Sequence, residues 1–406
     1  MLWEITNSTI VNPDKVSAQN DIIIEDDIIS GLGKSSGDSL RINLNGMYVY
    51  PGFFNAHDHL LASYLPRVGN NAPYLSWLAW DNDMKSSAVF AERQQLDPED
   101  LYLLGAYKNL IAGTTTVMDH IPHHINDPFA DNLPVRLVKN YNLSHSICSY
   151  HLGWGNGVIQ EYSEAELNNR PYVVHVGEGL DDESASAVAN LKEQGGLGES
   201  TVLVHGMMIS DRDVNLIKSA GASVVWCPSS NMHIFQKTTP VKKLLDAGVN
   251  VCLGTDSSLS GSFNILEEAR TAAEIYRNEN DTELAPSEIL KMVTINPARA
   301  FRLDSMLGTI GNGKKADLVI MKNRDSDPYR NFINATTDDI MLVVINGIPV
   351  YGDMSLEALF EQFDHEYEVN MVGMHEKIFI GRPKKLLNSI NKSLGYKKDL
   401  GFLPIK

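Results

Sequence analysis

The sequence predicts an α/β protein in two parts: a parallel-stranded (β/α) barrel through the middle of the chain and a small β domain assembled from both ends. Three observations lead there. Short apolar strands in the middle alternate with helix-period segments, β-rich segments recur at both ends, and ionisable residues gather where the central strands stop. Alternation of strand and helix makes a parallel sheet, and a barrel carries its functional groups at the C-terminal ends of its strands. An open doubly wound sheet is the alternative arrangement of the same units.

At the start of the chain, WEITNSTIV, DIIIEDDIISGLG and INLNGMYVYPG read as short strands closed by Gly, Pro, Asn or Asp. The central strands are GFFNAHDH, TTTVMDH, SHSICSY, YVVHVGE, TVLVHGM, ASVVWCP and NVCLGTD, with LYLLGAYKNLIAG, DVNLIKSAG and VKKLLDAGV as helices among them. Strand texture returns in KKADLVIMK and IMLVVINGIPVYGD. The expected division is 1–50 with 312–354 for the β domain, 51–311 for the barrel, and 355–406 for a C-terminal extension. That extension is locally basic in IGRPKKLLNSINKSLGYKKDLGFLPIK and reads as a solvated or packed surface element.

Composition narrows the function. With 34 Lys+Arg against 51 Asp+Glu the formal charge is -17, so nucleic acid and anionic membranes, which need a basic footprint, are disfavoured as partners. Small-molecule chemistry gains weight. The three cysteines (Cys148, Cys227, Cys252) form no C-x-x-C spacing, and no leader or membrane-length apolar run is readable, so a reducing cytoplasm is the expected location. A homodimer is the base-rate expectation for a soluble homo-oligomer.

His57-Asp58-His59 ends an apolar strand. Strand side chains alternate faces, so His57 and His59 point the same way, roughly 7 Å apart at Cα, and can grip one ion. Three later strand ends also offer a His or Asp: His175 in VVHVGE, His205 in VLVHGM and Asp256 in CLGTD. Imidazoles with one carboxylate suit a single Zn²⁺, and Fe²⁺ satisfies the same donors. A catalytic ion keeps a position for water and brings its pKa toward about 7, which supplies a nucleophile. Glu178 follows His175 by three residues and so belongs to a loop if both reach the site; Gly177 and Gly179 permit that turn. A carboxyl placed there can carry a proton from water to substrate.

PGFFNAHDH, GTTTVMDH, HVGE, VHGMMISDRDVNLIKSAGASVVWCPSSN and LLDAGVNVCLGTDS together resemble the amidohydrolase superfamily, in its cytosine deaminase and chlorohydrolase branch. The resemblance continues through TINPARAFRLDSMLGTIGNGKKADLVI and so covers most of the chain in order. It implies a distorted (β/α)8 barrel plus a β-sandwich from both termini. It also implies one metal held by His57, His59, His175 and Asp256, with His205 near the bound water and Glu178 shuttling protons. The implied reaction is hydrolytic deamination of a nitrogen heterocycle such as a pyrimidine, purine, pterin or triazine. Cyclic-amide hydrolysis, halide or thiol displacement, and a non-catalytic metal scaffold are the rivals. About 55 residues separate GTTTV from HVGE where the family has two complete β/α units, so the fourth unit is expected to be reduced, with GVIQEY as a degenerate strand.

Substrate contacts are expected from His120, just beyond the second strand, from Trp80 with Trp77 as an apolar lid, from Arg67 as a partner for an anionic substituent, and from His233. Ser257 and Ser258 are placed to orient Asp256 or to cap the next helix. GLGKSSG is not a phosphate loop: the pattern needs Gly at position 28, which is Ile28, so it reads as a turn. The same segment's Gly33–Gly37 matches G-x-S-x-G in letters, but no helix-period segment follows, so it does not read as a nucleophile elbow for serine hydrolysis.

Overall fold

The computed structural model describes residues 1–33 and 39–405. The Lys34–Gly37 part of GLGKSSG lies outside them. Eight parallel strands form the centre, three in one sheet (Phe53–Asp58, Thr114–Asp119, Arg136–Leu137) and five in another (Asn142–Ser146, Tyr172–Val176, Thr201–His205, Ser223–Trp226, Val251–Leu253). We number them one to eight. Each strand pairs with its sequence neighbour within its sheet, and the eighth returns to the first through a parallel bridge between Asp58 and Asp256. An order that runs round to its own start is a barrel; a doubly wound sheet would reverse direction partway.

The closing seam is tight. Asp256 N donates to His57 O at 2.9 Å and His59 N to Asp256 O at 2.6 Å, and a Cβ at Gly254 would fall 2.7 Å from the His57 Cβ. Only glycine lets the eighth strand pass that close, which explains the small residue ahead of Thr255-Asp256.

The reduced unit is the third, not the fourth. Residues 138–141 join the two-residue third strand directly to the fourth, with no helix between them, whereas GVIQEY, expected as a degenerate strand, opens the helix Val158–Leu167. In that helix Glu161 and Ala165 are buried while Gln160, Ser163 and Glu166 face solvent, the pattern of a helix laid on a sheet.

Both chain ends build one ten-stranded sheet, in which Tyr48–Pro51 pairs antiparallel with Leu318–Met321. Along Leu318–Met321 alternate side chains serve two cores. Leu318 and Ile320 join Trp3, Ile5, Ile24 and Leu342 in the sheet's own cluster, while Val319 and Met321 pack into the barrel's. The segment expected as an extension adds two strands, Tyr367–Val372 and His375–Ile380, to that sheet. Its helix Pro383–Leu394 then packs on Pro98–Leu110, where Ser389 Oγ donates to Asp100 at 2.8 Å. Among the described residues no helix is long and apolar enough to cross a membrane.

Candidate metal-centred active site

Four of the eight strands deliver ionisable side chains to one buried cluster at their C-terminal ends. His57 and His59 come from the first strand and the residue after it, two positions apart and on one face as the strand period requires. His175 lies on the fifth strand, His205 ends the sixth, and Asp256 follows the eighth. His57 Nε2 stands 3.4 Å from His175 Nε2, and Asp256 Oδ1 lies 3.5 Å from Nε2 of both His57 and His59. Metal-sized groupings form from His57, His175 and His205, and from His57, His59 and Asp256.

The neighbours set which nitrogen is free. His175 Nδ1 donates to His145 O at 2.6 Å and His205 Nδ1 to Asn231 Oδ1 at 2.9 Å, so both rings keep an Nε2 lone pair turned to the cluster. The Nε2 of His205 is buried and bonded to nothing in the protein. Asp256 Oδ2 accepts from Ser230 Oγ at 2.5 Å and Ser260 Oγ at 2.8 Å, which leaves Oδ1 for the histidines. Buried imidazole nitrogens and one carboxylate oxygen converging on one space are the donor set of a divalent cation.

Burial lowers the His57 imidazole to about 4 against the pull of Asp256, and lowers His175 and His120 well below the ordinary histidine range. These rings are neutral at physiological pH, as metal ligation requires. Burial alone would raise Asp256, but His57, His205 and His59 overcome it and hold the carboxylate ionised. Glu178 goes the other way. Burial, then the charges of Asp256 and Asp81, push it well above the usual carboxylate range. Its Oε1 stands 3.6 Å from His205 Nε2. The turn that brings it there uses Gly177 at φ 58°, as the flanking glycines suggest. His205 at φ 69° and Asp256 at φ 62° also occupy the left-handed region, a conformation costing about 1–3 kcal/mol for non-glycine residues and typical of functional positions.

The expected substrate contacts divide. His120 is fully buried beside the cluster, its ring centroid 4.5 Å from His175 and 5.5 Å from His57, with neither nitrogen bonded. Trp80 and His233 spend their polar atoms elsewhere, since Trp80 Nε1 and His233 Nε2 both donate to Val68 O, at 2.8 and 3.0 Å. They staple the loop after the first strand. Arg67 lies over the Phe263 ring at 5.5 Å rather than against the cluster. Ser257 and Ser258 do not hold Asp256: Ser258 bonds the backbone of Tyr64, and Ser230 and Ser260 take the role instead. His123, bonded to Tyr141 O and Asp127, and exposed His124 belong to the next helix.

His145 was missed by sequence reasoning. It sits near the end of the fourth strand with Trp77 at 4.5 Å and Trp154 at 4.7 Å between ring centroids, and these rings wall the cluster. Its strand-end position is the signal that marks His175 and His205. The fourth strand, Asn142–Ser146, carries no lysine that could bridge two ions.

A parallel barrel with this imidazole and carboxylate cluster defines a metal-dependent hydrolase. A model of the amidohydrolase family matches residues 159–350. The 5-methylthioadenosine/S-adenosylhomocysteine deaminase of Thermoanaerobacter pseudethanolicus is 30% identical over 386 residues, spanning 80% of this chain and 87% of that one. The protein of the same name from Pyrococcus furiosus is 26% identical over 370 residues, spanning 79% and 86%. An adenosine deaminase from Xanthomonas campestris with bound zinc superposes with a TM-score of 0.71 at 19% identity, over 89% of this chain and 97% of that one. The atrazine chlorohydrolase of Arthrobacter aurescens, complexed with zinc, gives 0.70 at 19%, over 86% and 95%. The chain belongs to the amidohydrolase family, and is a hydrolase of carbon–nitrogen bonds other than peptide bonds, of the deaminase type.

Proposed function

We propose that the protein hydrolytically removes the amino group from a purine ring, as a 6-aminopurine nucleoside carries it, using one zinc ion held by His57, His59, His175 and Asp256. The purine is suggested by the names of the similar deaminases, and the walls of Trp77, Trp154 and His145 suit a flat heterocycle. Zinc is suggested by the zinc-bound neighbours and by the donor set.

The observation that carries the reading is Glu178, its side chain 11% exposed and its carboxyl raised well above the carboxylate range, facing His205 beside the imidazole cluster. A divalent ion held by His57, His59, His175 and Asp256 would acidify a water and so supply hydroxide at neutral pH. Asp256 accepts the proton lost from that water. Protonated Glu178 delivers a proton to the ring nitrogen next to the carbon under attack, and the free Nε2 of His205 accepts a hydrogen bond from the attacking water or hydroxide. The amino group leaves as ammonia and the carbon keeps oxygen. His120 is the side chain we assign to the substrate, because burial leaves both its nitrogens without a partner.

The test is ammonia release from adenosine-type nucleosides by protein loaded with one equivalent of zinc, beside the Glu178→Gln variant. The variant is expected to hold its zinc and lose about 10²–10⁴ in kcat. Undiminished turnover in the variant would remove Glu178 from the mechanism, and a ring-opened or dehalogenated product without ammonia would replace the reaction.

A further inference from the structure

One short helix holds two reaction groups at once. Pro228–Phe235 follows the seventh strand, and its adjacent residues Ser230 and Asn231 bond Asp256 Oδ2 at 2.5 Å and His205 Nδ1 at 2.9 Å. A rotation of this helix would move both hydrogen bonds together. The helix carries no cap of its own: Cys227 precedes it without a side-chain hydrogen bond, and Pro228 opens it. The backbone N–H of Ser229 is met instead by Glu268 Oε1 at 3.0 Å, from the helix Ile265–Asn280 that follows the eighth strand.

Glu268 is fully buried, and burial pushes its carboxyl up to about 7 against the opposing hydrogen bonds of Ser262 and Ser229. As a mere helix cap this arrangement is expensive, because a serine or aspartate at the position before the helix would meet the same N–H without burying a carboxyl. What a local cap would not do is tie the seventh β/α unit to the eighth, which supply Asn231 and Asp256.

We propose that Glu268 is a positioning residue for the hydrolytic reaction: by holding Ser229 N it sets the helix that places Ser230 on Asp256 and Asn231 on His205. It touches neither metal ligands nor substrate, and the proposal rests on the reading of His205 and Asp256 as reaction groups. Glu268→Gln keeps an oxygen acceptor for Ser229 N; Glu268→Ala does not.

The experiment compares kcat, KM and zinc content of the full chain and both variants, with the His205 Nδ1–H proton followed by NMR in histidine-¹⁵N-labelled protein. In Glu268→Ala kcat is expected to fall about 10- to 100-fold with KM within about twofold and zinc stoichiometry unchanged, since a displacement near 1 Å costs about 10² in rate. The His205 resonance should move upfield as its bond to Asn231 lengthens. Glu268→Gln is expected to restore both kcat and the resonance. Equal loss of thermal stability in both variants with kcat and the resonance unmoved would overturn the proposal. So would a shifted resonance with unchanged kcat, which would place the failure in the assigned role of His205 rather than in the helix.

Discussion

The two halves of the barrel reach the same site by different means. In the second half the fifth and sixth strands each turn through a short loop into one helix, Asp182–Glu193 and Asp211–Ala220, and the stretch matched by the family model begins at residue 159, just ahead of it. In the first half, three helices (Trp77–Lys85, Ala88–Arg93, Pro98–Leu110) intervene between the first two strands, the third strand has two residues, and the third unit lacks its helix. The polar wiring differs too. Behind His57 and His59, Asp58 points out of the barrel into a fully buried ion pair with Lys108, at 3.0 and 3.2 Å, reinforced by Asn109 at 2.8 Å and Asn55 at 3.2 Å. Behind His175, His205 and Asp256 the partners are a carbonyl, an amide and two hydroxyls. A charged lock fails as a unit, whereas neutral hydrogen bonds can be lost singly.

That contrast can be broken by measurement. The largest effect belongs to Lys108→Met, which leaves Asp58 buried without its cation; a loss of about 3–5 kcal/mol in urea unfolding is expected. The double variant Asp58→Asn with Lys108→Met should recover part of it. A loss below 1 kcal/mol, on the order of a surface pair, would show that the first half has no charged lock. Ser230→Ala, in the second half, is expected to weaken zinc binding about 10- to 100-fold by equilibrium chelator competition while changing stability by no more than about 1.5 kcal/mol. A stability loss as large as that of Lys108→Met would erase the distinction. The smallest effect sharpens the baseline. Ser210 and Asp213 form a reciprocal cap on the helix Asp211–Ala220, so Ser210→Ala should cost about 1 kcal/mol in thermal unfolding and leave kcat unchanged.

Legibility followed the same division. The second half was readable because its strands are short apolar runs with one ionisable residue at the end, and His57 and His59 were readable because period two puts them on one face. The third unit was not, since a two-residue strand carries no periodicity and a missing helix leaves no signal. The partners of the site were hidden for another reason. Ser230 and Ser260 reach Asp256 from 26 residues before and four after it, and Lys108 meets Asp58 from 50 residues away. Ser257 and Ser258 looked better because they are adjacent, yet the left-handed turn at Asp256 sends the chain back along the barrel wall, where Ser258 holds Tyr64 instead. Trp80 had the right chemistry for a substrate lid and His233 for a polar contact, but a backbone carbonyl that both can reach, Val68 O, took their donors.

The pairing of Tyr48–Pro51 with Leu318–Met321 has a consequence for how the chain is made. On the ribosome the first of these segments emerges roughly 270 residues before its partner, on the order of tens of seconds at about 5–20 residues per second. Throughout that interval Val49, bound for the terminal sheet's own core, has no partner strand on that side, and the strand that continues directly into Phe53–Asp58 leaves the H-x-H end of the barrel anchored at one edge only. The first segment of the histidine cluster to be synthesised therefore gains its full set of neighbours only late in synthesis.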